Sequence, residues 1–498
     1  MNSTHRIARR PLALAVAIVL NTVGAHAAII TVTDAGDAGT STSCTLRQAL
    51  VSSSSEAATG SCVVGSGTDT ISFATPLQNS TISLTQGQLV IASSVAITGS
   101  GQTIDAGGNS PGVQIDSTYY SNTYSNAFSG PTTVSLSNLT ITNGATNYCP
   151  AGGIFAGGCN VDRPTSRPAR NAIPAHTQAN SSITLTGVNV VNNSATTQAG
   201  GIFVTGTNLN INQSTVSGNT LTTSRNYAAG GIYATRGAYD ASDVTITNST
   251  ISNNTVSGST SSYLAGAMYL YASNASLINT TITGNTASGQ NNLGGGIQMN
   301  SAPYNNKYLQ LNDCTVSGNS ASSTSNSTDV AGAALLGSYG VGVMNLNNTI
   351  IAGNTGVNPD ILVDNAANGS TLTANASLLG SALSTNYSGN GNIFTNNPGV
   401  AALANNGGPS KTMALQPGSL AVDAGNNTLI PGGVSFDQRG TGFIRIFNGT
   451  VDIGAYESQS AIAAVSATAP TPALSTWALT LLGGLLAWFG LVRKRESS

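Results

Sequence analysis

Charge is what this chain has least of. Asp, Glu, Lys and Arg make up 7% of its 498 residues, against roughly a quarter in ordinary globular domains. No clustered basic face is present, which excludes a nucleic-acid-binding surface. Tryptophan occurs only at Trp477 and Trp488, near the C-terminus, so the body of the chain lacks the recurring Trp-Asp signature of a propeller blade. Of three histidines, His5 and His26 precede residue 28 and His176 lies in a basic insertion. No Cys/His spacing suits a metal, and no cofactor is implied. Gly, Ser, Thr and Asn fill the space that charge leaves. Such a composition alone would suit a disordered chain, but here it carries Val and Ile at regular intervals.

Long apolar runs are confined to the two ends. Residues 1–27 hold a basic patch (Arg6, Arg9, Arg10), the run "PLALAVAIVL" and the small residues Ala25 and Ala27. This is the pattern of an export signal cleaved after Ala27. At the other end Leu474 to Val492 is uncharged and long enough to span a bilayer as a helix. Arg493, Lys494 and Arg495 follow at once, which would hold that end in the cytoplasm. Pro472, Leu474 and Trp477, the span and the basic tail together resemble the IPTL-CTERM sorting signal of Gram-negative bacteria, although "TPALSTW" departs from its Ile-Pro-Thr-Leu opening. The resemblance implies cutting by envelope sorting machinery and delivery to the surface. A permanent membrane anchor is the other reading.

Between these ends the chain repeats itself. Apolar runs close on Asn193, Asn219, Asn254, Asn285, Asn319 and Asn354, at spacings of 26, 35, 31, 34 and 35 residues. A small-residue landmark keeps step, at "GGIFV" (Gly200), "GGIYA" (Gly230), "AGAMYL" (Ala265), "GGIQM" (Gly295) and "AGAALL" (Ala331). Periods of this size mean a solenoid or a propeller. The segments "ITLTGVNVV", "VTITNSTI", "LQLNDCTV" and "VMNLNNTI" alternate with period two, so each faces a core on one side. No helical periodicity joins them. The expected fold is all-β, a parallel β-helix with an N-terminal cap, a C-terminal anchor-associated domain and one C-terminal transmembrane helix.

In such a fold equivalent residues stack at about 4.8 Å. An Asn at the same bend in every coil can then hydrogen-bond its neighbours above and below, and Asn and Gly tolerate the left-handed backbone of a tight bend. Stacked like charges would repel, which accounts for their scarcity. Roughly nine to eleven coils are expected over residues 80–355, a rod ~45–50 Å long. The remaining boundaries are 28–79 for the cap region, 356–457 for the C-terminal domain, 458–471 for a linker and 472–498 for the sorting or membrane signal. Cys44 and Cys62 flank the helix-like "TLRQALV", and Cys149 and Cys159 bracket a Gly-rich loop. Export allows these pairs to be disulfides, with buried free thiols as the alternative. Cys314 is left over, at a strand position equivalent to Ser214.

"SVAITGSGQTIDAGG" and "CTLRQAL" resemble exported bacterial right-handed parallel β-helix proteins. "NNGGPSKTMALQPGSLAVDAGNN" (Asn405 to Asn427) and "DQRGTGFIRIFNGTVDIGAYE" (Asp437 to Glu457) are similar to the choice-of-anchor Q domain. That resemblance implies a place beside a surface-anchoring signal and leaves activity open.

Parallel β-helices often house polysaccharide lyases and hydrolases, and glycosidic hydrolysis generally needs two carboxylates. From Ile183 to Asn354 the acids are Asp240, Asp243, Asp313 and Asp329. Asp240 and Asp243 could share a groove near Arg236, or belong to a polar loop entering a strand. Asp423, Asp437, Arg439, Arg445, Asp452 and Glu457 form the densest charge group; internal pairing and Ca²⁺ binding are both open to it. Tyr227, Tyr233, Tyr263, Tyr269 and Tyr271 place tyrosine on loops and coil faces, suited to sugar rings or to protein contacts. The expected function is therefore non-catalytic: an exported, surface-anchored protein serving adhesion or envelope and matrix structure. A surface polysaccharide or a ligand on a host or neighbouring cell would be its partner. A carbohydrate-active enzyme is the alternative.

Overall fold

The computed structural model describes residues 27–115, 132–156, 181–236, 242–301, 307–337, 341–358, 360–363, 369–380 and 387–459. Ala25, Cys159, His176, Asp240 and the whole tail from Pro472 to Arg495 lie outside them. Among the described residues no helix is long and apolar enough to cross a membrane.

One coil shows how the sequence dictates the path. On the strand Asn208–Asn212, Leu209 and Ile211 turn inward and are buried, while the intervening asparagines are partly exposed. Gln213 takes a left-handed φ of 50°, and a second short strand, Thr215–Ser217, continues in the same sheet. Gly218, with φ at 65°, turns the chain into Thr220–Thr222 of another sheet. After a variable loop come Ala228–Ala229, a Gly-Gly corner and the strand Ile232–Thr235. The next coil then starts at Val244.

Every strand pairing in the stack is parallel, and the register is unbroken through the middle coils. Leu209 sits between Ile183 and Val244, and Ile211 between Leu185 and Ile246. The strands assemble into sheets of 21, nine, six and four strands. All four run along the same solenoid, and like apolar side chains stack in columns inside it. Each fully buried Leu, Ile or Val contributes about 1.5–3 kcal/mol, so the columns supply the main driving force. At the small-residue corner, a Cβ on Gly230 would stand 2.7 Å from the Gly266 carbonyl oxygen of the next coil. Strand register aligns Gly230 with Gly266, and Gly295 with Gly332. The landmarks expected at Ala265 and Ala331 are thus displaced by one residue, because alanine (Ala267, Ala333) replaces the second corner glycine there.

Parallel pairing starts at Ile29–Val32 and ends at Ile393–Phe394. Both limits lie beyond the expected 80–355. The Asn landmark stops at Asn354, whereas pairing needs only inward apolar residues, which Ile361–Val363, Thr371–Asn375 and Leu378–Leu379 still supply. The single α-helix among the described residues, Leu46–Ser55, packs against the first strands. It is started by a capping box in which Thr45 and Gln48 satisfy each other's backbone and pinned through Cys44–Cys62. Arg47 bonds Asp37 at 2.7 Å. Burial works against that carboxylate's charge, but Arg47 and the Thr85 and Gln86 amides outweigh it and lower its pKa.

Residues 395–457 do not cap the stack. They return along the outer side of the 21-stranded sheet as an irregular strap. Ser410 bonds the Asn248 carbonyl (3.0 Å), Phe436 accepts from Asn279 (2.9 Å), Ala455 donates to Thr315 (3.0 Å) and Asn426 donates to Asn348 (2.8 Å). Successive coils are thereby tied to one strap.

Candidate functional site

The asparagine column is continuous. Asn193 Nδ2 donates to Asn219 Oδ1 (3.0 Å), and the same bond repeats through Asn254, Asn285, Asn319 and Asn354 at 2.8–3.0 Å. Each amide also reaches a main-chain carbonyl of the preceding coil, as Asn285 reaches Ile251 (3.0 Å), and accepts a backbone N–H from that coil, of an Asn in every case but Asn193, which accepts from Gly144 (2.8 Å). The last link is Asn354 to Asp360 Oδ1 (3.0 Å), a terminus that the sequence reading missed. A carboxylate suits that place because it only has to accept. These residues are buried and bonded to protein, so the column is architecture rather than a site.

Cys44 and Cys62 are bonded to each other, and Cys149 is also in a disulfide. Cys314 is free and buried, in the column of Ser214 and Thr349. Burial pushes its thiol far above the ordinary range, which leaves no nucleophile there.

The described acids of the coil region, Asp243, Asp313 and Asp329, do not converge. Asp243 enters a strand of the 21-stranded sheet and accepts from Asn274 (3.0 Å). Asp313 occupies a left-handed bend under the strap, and Asp329 precedes Val330 in the four-stranded sheet. Among the described residues no group of three or more His, Cys, Asp or Glu is placed to hold a metal.

The C-terminal charges form a buried clamp. Arg439 chelates Asp437 at 2.6 Å and lies between the rings of Phe443 and Tyr456, 3.9 and 3.8 Å from their centroids. Arg445 is 1% exposed, 3.7 Å from Asp313 and 4.0 Å from Glu457, and donates to the carbonyls of Asp452 and Gly454 at 2.7 Å each. Burial raises Asp313 and lifts Glu457 to about 7; Arg445 opposes both shifts. Gln438 completes the clamp, accepting from the Thr281 hydroxyl at Oε1 (2.6 Å) and donating from Nε2 to the Thr250 hydroxyl oxygen (2.9 Å).

What the register does gather is aromatic. On the nine-stranded sheet the outward side chains run Phe155, Phe203, Tyr233, Tyr269, Gln298 and Leu335, one per coil. Tyr233 packs edge-on against Phe203 (5.3 Å) and Tyr269 (5.0 Å). Tyr227 and Tyr263 stack nearly face to face at 4.8 Å, and Tyr227 lies 6.2 Å from both Tyr269 and Tyr271. Tyr227, Tyr263 and Tyr271 are half-buried, whereas the ring of Tyr269 is covered. Burial raises the hydroxyls of Tyr233 and Tyr269, keeping them protonated. Five tyrosines separated by up to 44 residues thus form one patch, because coils bring i and i+36 side by side (Tyr233 and Tyr269). Gln298 and Asn300 border it, and sequence reading passed over both. No known protein family and no curated protein matches the chain.

Proposed function

We propose that this is an exported β-helix protein that is displayed at the cell surface and serves adhesion or envelope and matrix structure without catalysis. The observation that carries the reading is the cluster of tyrosines at the nine-stranded sheet, whose outward columns from Phe203 to Asn300 hold no carboxylate. Aromatic rings with a polar tip suit recognition, and hydrolysis would ask for a pair of acids. The likenesses to the choice-of-anchor Q domain and to the IPTL-CTERM signal support surface delivery by sorting machinery, with Pro472, Leu474 and Trp477 as the recognised motif and Leu474 to Val492 as a transient span.

Purified protein is offered a polysaccharide panel, and both retention and released fragments are measured. Retention without new reducing or unsaturated ends is the expected result; released fragments would establish the carbohydrate-active alternative. For the tail, mass spectrometry of the surface form should show a C-terminus upstream of Arg493. An intact Ser498 would refute processing.

A further inference from the structure

The start of the stack holds a carboxylate where the rungs that follow hold aliphatic side chains. Asp69 opens the strand Asp69–Phe73, and its column continues as Val95, Val134, Ile183, Leu209 and Val244, all buried. Asp69 is itself buried. Its Oδ1 accepts two backbone N–H groups, from Ala28 (3.0 Å) and Ser66 (2.8 Å), while Oδ2 has no hydrogen-bond partner among the described residues. None of the ion pairs among the described residues includes it. A buried carboxylate is costly unless it is paired, and a valine would continue the column at no such cost.

Ala28 is held beside this carboxylate by three contacts. Its carbonyl accepts the Thr70 N–H (2.8 Å), its methyl packs on the core, and its nitrogen donates to Asp69. It lies one residue before Ile29, where parallel pairing begins, and one residue after Ala27, which is exposed. The export-signal pattern of residues 1–27 puts the scissile bond between these two alanines. The sequence thus marks for release the same nitrogen that the fold aims at an unbalanced buried carboxylate.

We infer that hydrolysis of the Ala27–Ala28 bond supplies the counter-ion of Asp69. The oxygen of one water joins the Ala27 carbonyl carbon, which leaves as a carboxylate, and both hydrogens end on the Ala28 nitrogen. The amide N–H becomes a primary ammonium, charged at neutral pH, with three donors where there was one. It keeps Oδ1, reaches Oδ2 by a small shift, and turns the contact into a charge-assisted pair. An envelope protease that reads small side chains at Ala25 and Ala27 is the partner in this step. Processing therefore locks the first rung, and the precursor, with an amide at residue 28, has a looser one. Resting on the export reading above, this pairing gives the new terminus a place in the fold.

The test expresses the full chain in an exporting bacterial host and purifies the processed protein. Peptide mass mapping should find Ala28 as the first residue. In the folded protein its α-amine should react with formaldehyde and cyanoborohydride at least tenfold more slowly than in Asp69→Asn. Protection of the Thr70 amide from hydrogen exchange should fall tenfold or more in that variant. A chain with one glycine inserted after Ala27, mapped to begin at that glycine, carries its ammonium about 3.8 Å further out and keeps an amide at Ala28. Thr70 should lose protection there too, and adding Asp69→Asn should cause no further loss. Retention of residues 1–27 sinks the export reading and this inference with it; a first residue other than Ala28 sinks the inference alone. Equal amine reactivity in parent and Asp69→Asn also overturns it, as does full Thr70 protection in the glycine-insertion chain. Should Asp69→Asn fail to fold, the insertion chain, which keeps the carboxylate, decides the matter.

Discussion

Replacing Asn285 by leucine changes size little and removes the centre of the amide column. Three donor contacts vanish, to Ile251 O (3.0 Å), Thr283 O (3.1 Å) and Asn319 Oδ1 (2.8 Å), along with acceptance from Asn254 N (3.0 Å) and Nδ2 (2.9 Å). Some partners are insured. Asn254 Nδ2 keeps its bond to the Val216 carbonyl, and Asn319 Oδ1 keeps the backbone N–H of residue 285. The Asn254 N–H and the Ile251 carbonyl lose these contacts in a dry interior, where each unsatisfied group costs about 1–3 kcal/mol. The expected loss is therefore about 2–6 kcal/mol, read as a lower melting temperature. Because solenoids can open locally, native-state hydrogen exchange is the sharper assay: protection of the Asn254 amide should fall most. Ser325→Ala, in an exposed loop, should change stability by less than about 0.5 kcal/mol. Equal melting and unaltered protection at Asn254 would refute the idea that the column holds the bends.

The buried clamp should respond to pH. Glu457 titrates near 7 in the folded protein and near 4.5 when unfolded, and Asp313 is shifted in the same direction. The folded state thus binds protons more tightly, so the clamp's stability is greatest below about pH 4.5 and is lost as pH rises through about 7; a melting temperature that climbs over that interval would contradict the assignment. Gln438→Ala should free the strap from Thr250 and Thr281 at about 2–4 kcal/mol and speed limited proteolysis between residues 395 and 457 while the coils stay intact. Cys314 should resist thiol reagents until the protein unfolds, and peptide mapping should find it unpaired, with Cys44 joined to Cys62. A disulfide at Cys314 would show that its strand register is misassigned.

Those parts of the fold that recur in every coil were legible in the sequence. The asparagines at 193 to 354 and the corner glycines announce themselves because parallel stacking imposes the same steric demand at each rung. The strap was not legible, since its bonds join residues such as Gln438 and Thr250, 188 apart, once each and without periodicity. Asp313 illustrates the limit: in sequence it is a bend residue like Asn279 or Asn348, and only the returning Arg445 makes it half of a buried pair. The tyrosines were visible singly, but their convergence needed the true register, which the one-residue displacement at Ala265 and Ala331 obscured.

The strap also acts as a ruler. A solenoid tolerates gain or loss of whole repeats wherever each rung sees only its immediate neighbours, and the rungs from Thr133 to Asn212 meet that condition in their sheet pairings. From Asn248 to Asn348 the spacing of rungs must also match a second, non-repeating chain that touches them at fixed stations: Ser410 at Asn248, Phe436 at Asn279, Ala455 at Thr315 and Asn426 at Asn348. Duplicating a coil inside that interval would shift every later station by one rung, about 4.8 Å, and break several bonds at once. Descendants of this protein can therefore lengthen or shorten in their N-terminal half, while the strapped half keeps its number of turns.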